Sequence, residues 1–174
     1  RRDPSGPAFG ERPVMSEPVK RAPIPGLRWW ICGLLFIATT VNYLDRTVLA
    51  GLKSTLLDEF QMDNDDFANI VIAFQISYAV GQMLAGKVID IVGTRLGYLI
   101  AFIWWSAASM AHAFATGIRS FAGYRFILGI GEAGNFPAAI KAVSEWFPRK
   151  ERALATGILN VGAGVGAMVA PGLI

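Results

Sequence analysis

Long apolar runs alternate with short charged segments along this chain, and that pattern leaves few folds open. A hydrocarbon layer ~30 Å thick and a helical rise of ~1.5 Å per residue require about 20 residues per crossing. Five runs meet that length: helix 1 over 29–51, helix 2 over 67–89, helix 3 over 95–116, helix 4 over 119–142, and helix 5 from 151 to the last residue, Ile174. Backbone in lipid must satisfy its own hydrogen bonds, so only helices or a closed barrel can cross. The runs are too continuously apolar for the alternation of barrel strands. The expected class is an all-α integral membrane protein, with the lipid bilayer as its surrounding partner.

Composition excludes several alternatives. Of 174 residues, 53% are hydrophobic and 17% charged, against about 25% charged in soluble domains. That argues against a soluble enzyme and against a disordered chain. The net charge is +3, but the basic residues are divided among loops and form no stripe, so no nucleic-acid partner is expected. Cys32 is the single cysteine and His112 the single histidine. A disulfide framework, a cysteine-built metal site and most zinc sites are thereby excluded. No nucleophile–base pair is present either, so neither an enzyme nor a resident cofactor is expected.

Residues 1–28 hold six of the nine prolines and six basic residues. No apolar segment and cleavage site follow within them, so they do not form a secretory signal. They read as a flexible, basic, cytoplasmic tail, and Met15 is a candidate natural start with 1–14 upstream of it. Residues 29–174 form the membrane part, read as a fragment cut within helix 5. With the N-terminus inside, the inner segments collect Arg28, Lys87, Arg95, Lys141, Arg149, Lys150 and Arg152 besides the tail, while the outer loops hold only Lys53 and Arg119. The outer segment 52–66 is acidic. This positive-inside bias orients the chain in a cell inner or plasma membrane.

Asp45 and Arg46 lie inside helix 1, and Arg125 and Glu132 inside helix 4. A charge at mid-bilayer costs about 2.5–3.5 kcal/mol on insertion scales, so four of them should face a bundle interior or a watery cavity and pair there. Arg125 and Glu132 are seven residues apart and share a helix face. Counting from the membrane ends puts Asp45 ~24 Å from the inner side and Arg125 roughly 9 Å from the outer side. Those depths nearly coincide, so Asp45 is expected to meet Arg125, with Glu132 ~10 Å deeper. An arginine offers a planar fork to a carboxylate, and a carboxyl in low dielectric can gain and lose a proton. Together they fit an organic anion bound along with protons; a neutralised packing network is the plainer alternative.

Other polar positions carry less. Gln75, Tyr78 and Gln82 share a face of helix 2, Asn135 follows Glu132 by one turn, and Asn160 lies within helix 5. Each serves equally as a helix–helix hydrogen-bonding group or as a cavity lining. His112, near the outer end of helix 3, reads first as an interfacial or satisfied side chain and second as a proton relay. Trp29, Trp30, Trp104 and Trp105 read as packing and interface anchors. Gly162 and Gly166 on helix 5, and Gly129 and Gly131 on helix 4, allow close backbone approach. Pro171 can kink helix 5.

The loop Gly86-Lys-Val-Ile-Asp90-Ile-Val-Gly93-Thr-Arg95 resembles the signature G-x-L-x-D-x-x-G-R-[RK] of the major facilitator superfamily, with Val88 for Leu and Thr94 for the first basic residue. Arg125-Phe-Ile-Leu-Gly129-Ile-Gly131 resembles its R-x-x-Q-G-x-G, with Leu128 for Gln. NYLDR in helix 1, GEAGNFPAAIKAVSEWFPRKERA across helix 4, and NVGAGVGAMVAP in helix 5 are similar to the anion:cation symporters, and among them to bacterial hexuronate transporters. The resemblance runs from Leu27 to Ile174.

It implies about five of twelve transmembrane helices, an incomplete first six-helix bundle, with a C-terminal bundle as the missing partner. It also implies proton-coupled uptake of a small carboxylate, glucuronate or galacturonate first, with the proton as coupling ion and no other cofactor. Aldonates such as galactonate, glucarate, tartrate, phthalate or a phosphorylated compound are alternative substrates, and a non-transporting sensor is the alternative role. By motif match, Arg46 would bind the substrate carboxylate, Asp45 and Glu132 would carry protons, and Arg125 would sense the charge of Asp45. Tyr43, Tyr78, Gln82, Asn135 and Asn160 would line the cavity. Gly86, Asp90, Gly93 and Arg95 would belong to the inner gate. Helices 1 and 4 would correspond in an inverted repeat.

Overall fold

A computed structural model describes residues 26–173; the tail and the candidate start at Met15 lie outside them, apart from the last residues, which enter the first helix. Seven α-helices follow: α1 Leu27–Gly51, α2 Lys53–Glu59, α3 Asn64–Val92, α4 Thr94–Ala111, α5 Ile118–Glu132, α6 Asn135–Trp146 and α7 Arg149–Val169. Single 3-10 turns extend α4 over His112–Phe114 and α7 over Ala170–Gly172, where Pro171 falls. No strand occurs among the described residues.

Two expectations need correction. The acidic segment 52–66 is not all loop: Lys53–Glu59 forms the short helix α2. Helix 4 is not one rod over 119–142. It breaks at Ala133–Gly134 into α5 and α6. Pro137 explains the break, because it has no N–H to donate to the carbonyl of Ala133 and its ring clashes there.

The other boundaries have local causes. Asp63 caps α3 through a reciprocal pair with Asp66: its carboxylate accepts from the Asp66 N–H at 2.7 Å, and the Asp66 carboxylate accepts from the Asp63 N–H. Two acids in the first turn suit the positive end of the helix. Between α3 and α4 only Gly93 intervenes, at φ +86°, a left-handed conformation that a side chain resists.

The helices α1, α3 and α4 with its 3-10 turn, and α7 with its own, are each long and apolar enough to cross a membrane. α5 and α6 together cover the run read as helix 4. α1 packs along α7, α3 along α5, and α4 against both α5 and α6. Glycines set the closest approaches. Gly162 and Gly166 press on the backbone of Phe36 and Thr40, Gly129 on Phe74 and Ser77, and Gly131 on Trp104 and Trp105.

The buried apolar residues form separate patches. Cys32, Leu35, Ala139, Val143, Phe147 and Leu159 join α1, α6 and α7 at one end. Leu49, Met62, Ile70 and Phe121 join α1, α3 and α5 at the other. Phe74, Trp105, Ala108 and Leu128 lie in a third. Large apolar side chains such as Met83, Ile91 and Met168 are exposed on the outside, as a lipid-facing surface requires.

Candidate functional site

Asp45 and Arg46 are adjacent on α1, so their side chains leave the helix about 100° apart. Asp45 turns toward α4, where its Oδ2 accepts a hydrogen bond from the indole N–H of Trp105 at 2.7 Å. Arg46 turns toward α3 and α5. Its Nε donates to Oε2 of Glu132 at 2.7 Å. The pair is asymmetric: the Glu132 side chain is fully buried, while that of Arg46 is 22% exposed.

Aromatic rings surround the guanidinium of Arg46. It lies 4.1 Å from the ring centre of Tyr78, 5.3 Å from Tyr43 and 5.5 Å from Phe74. All are within the ~6 Å reach of a cation–π attraction. The Tyr78 hydroxyl in turn accepts from Gln82 at 2.7 Å. Arg125 lies between Phe74 and Phe121, with ring centres at 5.9 and 5.8 Å. It is buried, and its Nε has no hydrogen-bond partner among the described residues. Oε1 of Glu132 and the terminal Nη2 of Arg46 are also buried without partners among the described residues.

The four ionic residues thus gather in one region, with a pairing that differs from the expected one. Among the described residues no ion pair joins Asp45 to Arg125; the buried pair is Arg46–Glu132. Depth along straight helices matched Asp45 with Arg125 but neglected side-chain length. Asp45 and Arg125 instead line a shared cavity of about 190 Å³ with Ser109, His112, Phe121 and Leu128.

The remaining residues divide. Tyr43, Tyr78 and Gln82 stand at the Arg46 cluster. Gln75 is exposed on α3. Asn135 is buried where α6 begins and accepts from the Tyr98 hydroxyl at 2.8 Å, a helix-joining contact. Asn160 is on the exposed side of α7. At the far end, Asp90 pairs with Lys141 at 2.6 Å and not with Arg95, which is exposed. Lys141 also donates to the Ile89 carbonyl at 3.1 Å, near the end of α3. Thr94 donates to Glu145 at 2.5 Å, so α3 and α4 are both tied to α6 there. Gly86 has open space around it, and Gly93 forms the turn.

Trp105 and Lys141 escaped the sequence reading as partners of the acids. The usable signal for Trp105 was chemical: a buried indole N–H needs an acceptor.

Residues 35–174 match the Major Facilitator Superfamily. The chain is 39% identical over 151 residues to the hexuronate transporter of Escherichia coli strain K12, covering 87% of this chain and 35% of that protein. It is 38% identical over 151 residues to the galacturonate transporter of Dickeya chrysanthemi, covering 87% and 44%. It is 37% identical over 161 residues to the D-galactonate transporter of Escherichia coli O6:H1, covering 92% and 37%. The chain therefore spans well under half the length of these relatives. Among solved structures, an inward-facing, unoccupied bacterial homolog of the human lysosomal transporter Spinster superposes with a TM-score of 0.77 at 25% identity, over 84% of this chain and 31% of that one. A motif-bearing turn at Gly93, a glycine-packed helix quartet and a matching family profile together make this chain a membrane protein that belongs to the Major Facilitator Superfamily.

Proposed function

We propose that the chain is part of a proton-coupled symporter that brings a small organic anion, first of all a hexuronate such as galacturonate or glucuronate, into the cell across the inner membrane. The observation that carries this reading is the buried Arg46–Glu132 pair, seated against Tyr78 and next to Asp45 and Arg125. A guanidinium held by a carboxylate and by ring faces is a site that a substrate carboxylate can take over. It does so when Glu132 accepts a proton and releases Arg46. Asp45, kept by the Trp105 N–H while ionised, is the second proton carrier. Arg125, buried and without an ion-pair partner among the described residues, responds to the charge on Asp45.

The order of events follows from charge. Breaking a buried ion pair costs more than keeping it, because the charge left behind is uncompensated. Protonation of Glu132 alone would strand Arg46, so the substrate anion must arrive with it. With one proton and one substrate anion bound, the four ionic groups and the anion sum to the same zero charge as the resting cluster, so that state closes without burying added charge. Release on the inner side follows loss of the protons, and the difference between the two states drives exchange. The N-terminus and the Asp90–Lys141 end are assigned to the cytoplasm, where Gly86, Asp90, Gly93 and Arg95 form the inner gate.

The similarity to a D-galactonate transporter over 92% of the chain favours aldonates as the second substrate reading. Counterflow across a panel of sugar acids separates the two. In the full-length transporter, Arg46→Ala is expected to abolish uptake. Glu132→Gln is expected to keep substrate exchange and lose accumulation driven by a pH gradient. Full accumulation by Glu132→Gln refutes its role as a proton carrier.

A further inference from the structure

His112 ends α4 and opens the 3-10 turn, at the end of the bundle that also carries α2. Its Nδ1 lies 2.9 Å from the carbonyl of Ala108. A carbonyl only accepts, so Nδ1 carries the hydrogen and Nε2 holds the lone pair. That Nε2 is buried and has no partner among the described residues. A histidine serving only as packing would leave a costly unpaired acceptor there. The ring lines the cavity of about 190 Å³ that also reaches Asp45, Ser109 and Arg125. Such a volume admits several waters, and the polar groups around it can hold them.

The geometry points to His112 as the relay that passes protons between water at the α2 end of the bundle and the carboxylate of Asp45. This rests on the proton-coupled reading above. An excess proton arriving as hydronium from water at the α2 end passes to Nε2 and leaves neutral water behind, forming an imidazolium whose Nδ1–H stays anchored on Ala108. The Nε2–H then passes through a second water to an oxygen of Asp45, which becomes the neutral acid. The imidazole returns to its starting tautomer, so each cycle moves one proton and leaves the ring unchanged.

The groups facing the ring are few. Asp45 comes from α1, Arg125 and Tyr124 from α5, with the Tyr124 ring 5.9 Å away and Phe121 edge-on at 5.1 Å. Leu52 and Leu56, at and within α2, add only apolar surface. Arg125 opposes a lasting imidazolium, and Asp45 receives the charge. That arrangement suits transit and not storage of a proton.

The test uses the full-length transporter in vesicles with radiolabelled galacturonate. His112→Gln keeps a donor for the Ala108 carbonyl and cannot carry the proton. Net uptake driven by a pH gradient should fall at least about ten-fold, short of the ~100-fold of a positioned acid–base group because cavity water still conducts. Galacturonate exchange at equal pH should stay within about two-fold of wild type, since it needs no net proton movement. His112→Asn should repeat the split. Net uptake unchanged in both variants overturns the relay. Parallel loss of uptake and exchange in both overturns it as well, and marks the ring as structural. Wild-type uptake indifferent to the pH gradient would instead remove the symport reading itself, and the relay with it, before any variant is made.

Discussion

The guanidinium of Arg46 is held by Glu132 on one side and by aromatic faces on the other. Its planar fork suits both contacts, whereas a lysine would present a compact, strongly hydrated charge. Arg46→Lys is therefore expected to keep the positive charge and still lower uptake by about ten-fold or more, equivalent to about 1.4 kcal/mol or more, because it loses the Nε–Glu132 hydrogen bond and the planar contact with the Tyr78 ring. Initial-rate uptake at saturating and limiting galacturonate measures it; a rate equal to wild type would show that charge alone suffices. At this scale the types of residue were legible, because four ionic groups in apolar spans have few other uses. Their partners were not. Asp45 with Trp105 is a contact between residues sixty apart, and no periodicity encodes it.

At the scale of elements, two helix pairs repeat one solution. α7 brings Gly162 and Gly166 onto the backbone of α1, and α3 brings Gly81 onto Ile130 of α5. If the first and fourth spans correspond, so do the second and fifth, and these are matching contacts of an inverted repeat. On that correspondence the two pairs would share small size and close approach without sharing residue identity. Gly166→Ala would place a methyl on the Thr40 carbonyl, a backbone atom that cannot move aside. It should destabilise the protein by about 1–3 kcal/mol, as over-packing does. Gly164→Ala meets open space and should be near neutral. Thermal unfolding in detergent compares the two, and equal losses would contradict the glycine-set contact. The helix break at Ala133–Gly134 belongs to this scale too. Pro137 announced it in sequence, but the apolar run across it read as one span.

At the scale of the molecule, charge is divided between two ends. The Asp63–Asp66 end is acidic, and the Lys141, Arg149, Lys150 and Arg152 end is basic. With the basic end in the cytoplasm, a cysteine at Ser54 should react with a membrane-impermeant maleimide in intact cells. One at Lys150 should react only after permeabilisation. Both positions are exposed, and the native Cys32 is buried, so background labelling should be low. The reverse pattern would invert the orientation and the direction of the proposed uptake.

The sequence by itself determined the membrane setting, the crossings and the identity of the ionic residues, because hydrophobic length and the cost of buried charge act locally along the chain. Only the tertiary structure decided that Glu132 takes Arg46, that Trp105 takes Asp45, that Lys141 takes Asp90, and that His112 opens on the same cavity as Asp45. Those pairings depend on helix rotation and on how far long side chains reach between neighbours. Glycine contacts, a proline break and the turn at Gly93 set these together, and no single segment carries them alone.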